Sequence, residues 1–217
     1  VVRMTVKPGK VGTSACDGTV GRGLFNSVTA DVTGSGAGTV SASACQNTPM
    51  VVWITLNKNL TGRVAAADQF QVRMSSGGIP AASATTSGAS VPATATTGTQ
   101  IFEAGKTLQF FEALKANGTG ADQLPSAYTS SLSCTGSTAA APSGPGTAQG
   151  TQLQWPEFNP VAGDEIVCTI TNTPITYNVT ATVNPAGAGV VNGGSANCTP
   201  SPVVSGVSST CQVTSTT

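Results

Sequence analysis

The stretch V-V-W-I-T-L-N-K-N-L occupies residues 51–60 and alternates apolar with largely polar side chains. Successive side chains of a β-strand point to opposite faces of the sheet, so this alternation predicts a strand with one apolar face. That face carries Val52, Ile54, Leu56, Lys58 and Leu60. A lysine therefore stands in a row of side chains that we expect to face a protein core.

Residues 107–114 and 165–172 each predict a further strand in which one polar side chain shares an apolar face. The two polar side chains are those of Glu112 and Asn172. Their apolar neighbours on these faces are Leu108, Phe110, Leu114, Ile166, Cys168 and Ile170. The sequence thus predicts one amine, one carboxyl group and one carboxamide in a common core.

A buried Lys58 and a buried Glu112 favour one particular chemistry. Burial disfavours the charged form of each group, so it lowers the pKa of an amine and raises that of a carboxyl group. A neutral amine is a nucleophile. We expect Lys58 to attack the Asn172 carboxamide while Glu112 polarises the carbonyl and shuttles protons. Ammonia would leave, and an amide bond would join the two side chains.

Each of the three residues also has a simpler interpretation. Lys58 could extend to solvent at a sheet edge, because long charged side chains bury only their stems. Glu112 could be a carboxylate at the rim of the core near a turn. Asn172 could end a strand ahead of Pro174. The crosslink hypothesis depends on all three residues occurring together on apolar strand faces, since unpaired charges rarely face a core.

Composition excludes several classes of function. The 217 residues include nine Lys and Arg, nine Asp and Glu, and no histidine. A chain with no basic cluster is not expected to bind nucleic acid. Without histidine there is no Ser-His-Asp triad and the commonest zinc ligand is missing, so we predict no enzyme, no metal and no cofactor. No apolar stretch is long enough for a membrane helix.

Abundant Thr, Ser, Ala and Gly, in short runs broken by turn residues, predict an all-β protein. Two tracts, residues 76–100 and 135–150, are low in complexity, and the first contains a Thr alternation that would suit an exposed strand. The other predicted strands are residues 1–7, 24–32, 38–45, 68–75, 127–134, 151–156, 176–183 and 207–214.

Six cysteines and no C-x-x-C pair favour disulfides formed in an oxidising compartment. Pairing of consecutive cysteines is preferred, because each pair would enclose a segment rich in Gly, Ser, Thr and Pro between two predicted strands. The predicted disulfides are Cys16–Cys45, Cys134–Cys168 and Cys198–Cys211.

A sequence motif that occurs twice divides the chain into three parts. Residues 45–56 and 168–183 each contain a Cys, then N-T-P, then an alternating strand. The predicted domains are residues 1–49, a partial β domain resembling the C-terminal half of the next one; residues 50–174, a complete β domain; and residues 175–217, a short β repeat. The outer two could pair with each other in one chain or between neighbouring chains.

Four stretches carry a family resemblance: I-T-L-N-K-N-L-T-G-R-V-A-A-A-D-Q-F-Q-V, then L-Q-F-F-E-A-L, L-P-S-A-Y and I-V-C-T-I-T-N-T-P. Over about residues 51–174 the chain resembles the prealbumin-like (CnaB-type, SpaA-like) domains of bacterial surface proteins and pilins. The resemblance implies an Ig-like β-sandwich. It also implies an autocatalytic isopeptide bond, for which Lys58, Glu112 and Asn172 occupy the matching places.

The expected function is that of a structural subunit of an extracellular bacterial filament, fimbria or sheath. Incomplete terminal segments leave open strands that a neighbouring copy can complete, so copies of the same chain are the expected partners. Secretion to the cell surface is the expected location. The alternative is a repeat module of a surface adhesin that binds a ligand, which would remain monomeric when purified.

Overall fold

The computed structural model describes residues 24–31, 38–46, 50–115, 118, 120–181 and 195–214. These residues form sixteen β-strands and no α-helix, so the prediction of an all-β protein is confirmed. The predicted strand at residues 1–7 lies outside the described residues, as does Cys16.

The strands are numbered in chain order. They are β1 (Leu24–Asp31), β2 (Thr39–Gln46), β3 (Val51–Leu60), β4 (Gln69–Ser76), β5 (Ile79–Thr85), β6 (Ala93–Glu103), β7 (Leu108–Lys115), β8 (Asp122–Gln123), β9 (Tyr128–Thr135), β10 (Thr147–Gln149), β11 (Gln152–Gln154), β12 (Glu165–Pro174), β13 (Thr176–Tyr177), β14 (Ser195–Thr199), β15 (Val203–Val204) and β16 (Thr210–Thr214).

Two sheets form a sandwich between residues 51 and 174. One has four strands in the order β6-β3-β12-β9. The other has six, in the order β10-β11-β7-β4-β5, with β8 also paired to β7. Strands β3 and β12 lie side by side and parallel, whereas the other neighbouring strands in the two sheets are antiparallel. The first and last long strands of the sandwich are therefore central neighbours in one sheet.

The core fills the space between the sheets, and the alternation of side chains decides which residues enter it. Every second residue of β3 from Val52 to Leu60 is buried, as the sequence predicts. Burying one such aliphatic side chain contributes about 1.5–3 kcal/mol. The largest fully buried apolar side chains are Trp155, Phe70, Phe110, Ile54, Leu56, Leu60, Met74, Leu108, Leu132, Ile166 and Ile170.

The tract at residues 76–100 contains more structure than its composition predicts. It contributes most of β5 and β6, the latter extending past the tract to Glu103. Many side chains of both strands are exposed, so neither strand has the apolar face by which sequence patterns are recognised. Strand β6 pairs with β3, and its register shifts opposite Thr55 and Asn57. Gly98 lies in this shifted region with φ of 64°, which glycine adopts without steric cost.

Outside the sandwich, the described residues form three two-stranded sheets. They pair β1 with β2, β13 with β15, and β14 with β16. The predicted strand at residues 176–183 is described as far as residue 181, and within that part Thr176–Tyr177 form β13 while residues 178–181 form no strand. The sequence patterns do not predict β14 and β15. The proposed domain limits at residues 49 and 174 stay predictions.

Candidate functional site

Lys58 and Asn172 meet because their strands are parallel neighbours. The register places Ile170 opposite Lys58 and Asn172 opposite Leu60, so Lys58 and Asn172 are diagonal neighbours on one face. Diagonal pairs across a sheet are within reach of long side chains. That face is the inner one, and the exposed fractions of Lys58 and Asn172 are 1% and 0%. Lys58 thus does not extend to solvent at an edge.

Glu112 approaches the same point from the opposite sheet. It lies on β7, between β4 and β11, and is completely buried. The interpretation of this residue as a carboxylate at the rim of the core therefore does not hold. The two sheets together place the amine, the carboxyl group and the carboxamide in one interior cluster, which we call the Lys-Glu-Asn site (Lys58, Glu112 and Asn172).

The Lys58 amine contacts the Asn172 side chain directly. Its Nζ donates to Asn172 Oδ1 at 2.6 Å. The same Nζ donates to the backbone oxygens of Asn59 at 2.8 Å and Ile170 at 3.1 Å. These bonds hold the amine against the carboxamide group, whose carbon is the atom that the amine has to attack.

The Glu112 carboxyl group contacts both Lys58 Nζ and Asn172 Nδ2. In an amide transfer the first of these nitrogens replaces the second. Its Oε1 lies 3.4 Å from Lys58 Nζ and, within the described residues, accepts no hydrogen bond. Its Oε2 accepts a hydrogen bond from Asn172 Nδ2 at 3.1 Å. The carboxyl group therefore contacts the amide nitrogen rather than the amide oxygen. This placement suits transfer of a proton between the nitrogens better than polarisation of the carbonyl, which the sequence analysis expected.

Ser130 is a fourth member that the sequence analysis missed. It lies on β9, and its Oγ accepts a second hydrogen bond from Asn172 Nδ2 at 2.9 Å. Its exposed fraction is 8%. The signal was present, because the strand predicted at residues 127–134 places Ser130 on the same face as Tyr128 and Leu132. A serine on an apolar strand face is a weaker sequence signal of a functional site than a charged residue is.

Aromatic rings close one side of the site. Lys58 Nζ lies 5.0 Å from the centre of the Phe70 ring, within cation–π range. The Tyr128 ring packs edge-on against Phe70, with centroids 4.9 Å apart. The Tyr128 hydroxyl donates to Asp68 at 2.7 Å and accepts from the Val64 N–H at 2.7 Å. Burial raises the pKa of the Tyr128 phenol, so this hydroxyl remains a neutral donor that fixes the ring.

The environment moves the pKa values of both ionisable groups toward their neutral forms. Burial lowers the pKa of Lys58 to about 8, although the Glu112 charge opposes the change. Burial also raises the pKa of Glu112, and the Lys58 charge and the nearby Ser130 and Asn172 side chains oppose that rise. Transfer of one proton from Lys58 to Glu112 then gives a neutral amine and a neutral acid at low cost.

One disulfide joins two strands that carry residues of the site, and another joins the two strands of a small sheet near the C-terminus. Cys134 on β9 and Cys168 on β12 are directly opposite each other and form a disulfide. Cys168 lies on the strand that carries Asn172, so this disulfide ties that strand to β9. Cys198 and Cys211 join β14 to β16. Cys45 is disulfide-bonded as well, while its predicted partner Cys16 lies outside the described residues.

In the described part of the chain, no group of three or more His, Cys, Asp or Glu residues could hold a metal ion. No helix in the same ranges has the length and apolar character of a membrane span.

The chain is similar to a known family of domains. The sequence model of a family described as a prealbumin-like fold domain, of the SpaA type, matches residues 53–174. This range begins two residues after the start of β3 and ends with β12, so it coincides with the sandwich. No curated protein and no solved structure matches the chain.

Proposed function

Because the chain belongs to the prealbumin-like fold domain family, we propose that it is a structural subunit of an extracellular bacterial filament, fimbria or sheath. Domains of this type are typical of pilins and surface proteins. The observation that carries the proposal is the Lys-Glu-Asn site, which lies between the first and last long strands of the sandwich. A covalent bond there serves mechanical strength, which a filament subunit needs.

The reaction is an internal amide transfer. The Lys58 Nζ lone pair attacks Asn172 Cγ, and a new bond between nitrogen and carbon forms. The neutral acid Glu112 gives its proton to Nδ2, and the resulting carboxylate takes the proton that Nζ loses. The bond between Cγ and Nδ2 breaks, ammonia leaves, and the lysine and asparagine side chains are joined by an amide. Glu112 ends in the protonation state in which it began, so no cofactor or oxidant is consumed.

The position of the bond determines how tension would cross the domain. Tension that enters at β3 and leaves at the end of β12 would pass from Lys58 to Asn172 through the new amide. The 113 residues between these positions would carry no load, given their separation of 114 in sequence. The Cys134–Cys168 disulfide independently joins β9 to β12. Two covalent ties on one strand support a role in a fibre under load.

Cystine content supports secretion of the protein. Disulfides persist in oxidising compartments such as the periplasm and the cell exterior. The structure contains Cys134–Cys168 and Cys198–Cys211, and it describes no free cysteine. The bacterial cell surface is accordingly the proposed location.

The small sheets outside the sandwich supply the proposed assembly contacts. The β1–β2 sheet has two strands of eight residues each, and neither strand has a second neighbour among the described residues. Two-stranded sheets are at best marginally stable in water when isolated. Their open edges can pair with a strand of the next copy, and a head-to-tail contact of this kind propagates into a filament.

Concentration-dependent assembly tests the filament proposal. We expect the full chain to form fibres in electron micrographs and to sediment as polymers whose size rises with concentration. Ser43→Pro, in the middle of β2, removes a backbone N–H and should shorten or abolish the fibres. Ser43→Thr keeps that donor and is the matched control. Protein that stays monomeric at every concentration would contradict the proposal and favour the adhesin alternative.

The rate of crosslinking should have a maximum in its dependence on pH. The reactive pair carries one proton, so its population rises as pH increases through the raised pKa of Glu112. It falls again as pH increases above the Lys58 pKa of about 8. Chain isolated unfolded and uncrosslinked can be refolded across a pH series, and ammonia loss followed by intact mass. A rate that increases steadily up to the ordinary pKa of lysine would contradict this assignment.

A further inference from the structure

Asn172 Nδ2, the nitrogen that has to leave, is held by two acceptors. Glu112 Oε2 lies 3.1 Å from it and Ser130 Oγ lies 2.9 Å from it. A primary carboxamide has two N–H groups, so these two contacts use both of them. The shorter contact is the one to Ser130. A hydroxyl that contacts the leaving group is placed to act on the reaction itself.

The two acceptors that hold Nδ2 come from different sheets. Ser130 lies on β9, beside β12 in one sheet, and Glu112 lies on β7 in the other. With one of its N–H groups held by Ser130, the Asn172 carboxamide is oriented so that the other points at the Glu112 carboxyl group. The Ser130 side chain is also among the groups that oppose the rise in the Glu112 pKa.

We propose that Ser130 is a catalytic residue of the crosslinking reaction, which holds the Asn172 amide nitrogen against Glu112 while that nitrogen takes up a proton and leaves as ammonia. The inference rests on the proposed function, because it concerns a step of the same reaction. In that step the protonated Glu112 donates its proton to Nδ2, which Ser130 Oγ holds through an N–H group. The bond from Cγ to Nδ2 then breaks, and the Glu112 carboxylate takes from Nζ the proton that the new amide does not keep.

The position of Ser130 also connects the site with solvent. Strand β9 is an edge strand of its sheet, and β10 is an edge strand of the opposite sheet. A groove runs along this open side of the sandwich, and its lining includes Pro125, Tyr128, Ser130, Gly146 and Leu153. Ser130 thus lies between the buried amide and the groove. Ammonia released beside Ser130 has a short path to water.

The test compares the rates of ammonia loss of three refolded variants with that of the wild-type chain. Ser130→Ala removes the hydroxyl, Ser130→Thr retains it, and Ser131→Ala changes a neighbouring exposed serine on the same strand. We expect Ser130→Ala to slow the loss of ammonia by about 10- to 100-fold, which is the scale of rate loss that misplacement of a reacting group causes. Ser130→Thr should recover much of the rate, and Ser131→Ala should match the wild type.

A pH series separates catalysis from a merely structural effect. Loss of the Ser130 hydroxyl removes an interaction that lowers the Glu112 pKa, so the acid limb of the Ser130→Ala profile should move to higher pH. A structural defect would slow the reaction equally at all pH values. Circular dichroism checks that each variant is folded, and if Ser130→Ala fails to fold, the acid limb of Ser130→Thr is compared with that of Ser131→Ala.

The outcomes for Ser130 and for the crosslink itself are distinguishable. If wild type and Ser130→Ala lose ammonia at the same rate with the same acid limb, the role of Ser130 is overturned and the crosslink stands. The role is equally overturned if Ser130→Thr is as slow as Ser130→Ala. If the wild-type chain never loses ammonia, the proposed reaction fails, and the role of Ser130 fails with it.

Discussion

Glu112→Gln should leave the protein folded but almost unable to crosslink. Glutamine matches glutamate in size and can still hydrogen-bond Asn172, but it cannot take a proton from Lys58 or give one to Nδ2. General acid–base catalysis contributes about 10²- to 10⁴-fold in rate, so we expect the loss of ammonia to slow by that factor. The measurement is the intact mass of the refolded variant over time, with all disulfides reduced.

Glu103→Gln is the matched control for this substitution. Glu103 lies at the end of β6 and is exposed, so its charge does not bear on the interior. The control should crosslink at the wild-type rate. Equal rates for Glu112→Gln and Glu103→Gln would show that the buried carboxyl group takes no part in the reaction.

Lys58→Ala should cause the largest loss of stability of any single substitution in the sandwich. The change prevents the crosslink, which would close a loop of 114 residues in sequence separation. In the chain-entropy treatment, a crosslink that closes about 100 residues contributes roughly 4–5 kcal/mol. Truncating a long buried side chain to alanine costs about 2–5 kcal/mol besides, because it leaves a cavity in the core.

The comparison uses denaturant unfolding of reduced protein, which excludes the contribution of the disulfides. Lys106→Ala is the control, because Lys106 is an exposed lysine in the loop between β6 and β7. Lys58→Met, which fills most of the space but has no amine, separates loss of packing from loss of the crosslink. The unfolding midpoint of Lys58→Met should be well below that of Lys106→Ala. A midpoint for Lys58→Met equal to that of Lys106→Ala would contradict a stabilising crosslink.

The alternation of side chains is sufficient to predict the inward faces of Lys58, Glu112 and Asn172. A strand repeats every two residues, so the face of each side chain follows from its strand alone. Which strands become neighbours does not follow from alternation. The parallel pairing of β3 with β12, and the position of β7 across the core, depend on long-range packing that the sequence pattern does not encode.

Two features of the molecule lie beyond the sequence patterns for physical reasons. Strands β5 and β6 carry many exposed Ala, Ser and Thr side chains, so they lack an apolar face and their sequence resembles a low-complexity tract. The contact of Glu112 with the amide nitrogen depends on how the Asn172 carboxamide is oriented by its neighbours. That orientation is fixed by Ser130 and Lys58 together, and it is visible only in three dimensions.

An amide bond between Lys58 and Asn172 underlies both the proposed function and the role of Ser130. Its most direct test is a mass measurement on the mature protein, reduced and then digested, with fragmentation of the peptide that contains both residues. We predict an intact mass lower by one ammonia molecule, and a branched peptide in which residues from β3 and β12 are covalently linked. A full intact mass, with separate linear peptides containing Lys58 and Asn172, would show that the bond does not form.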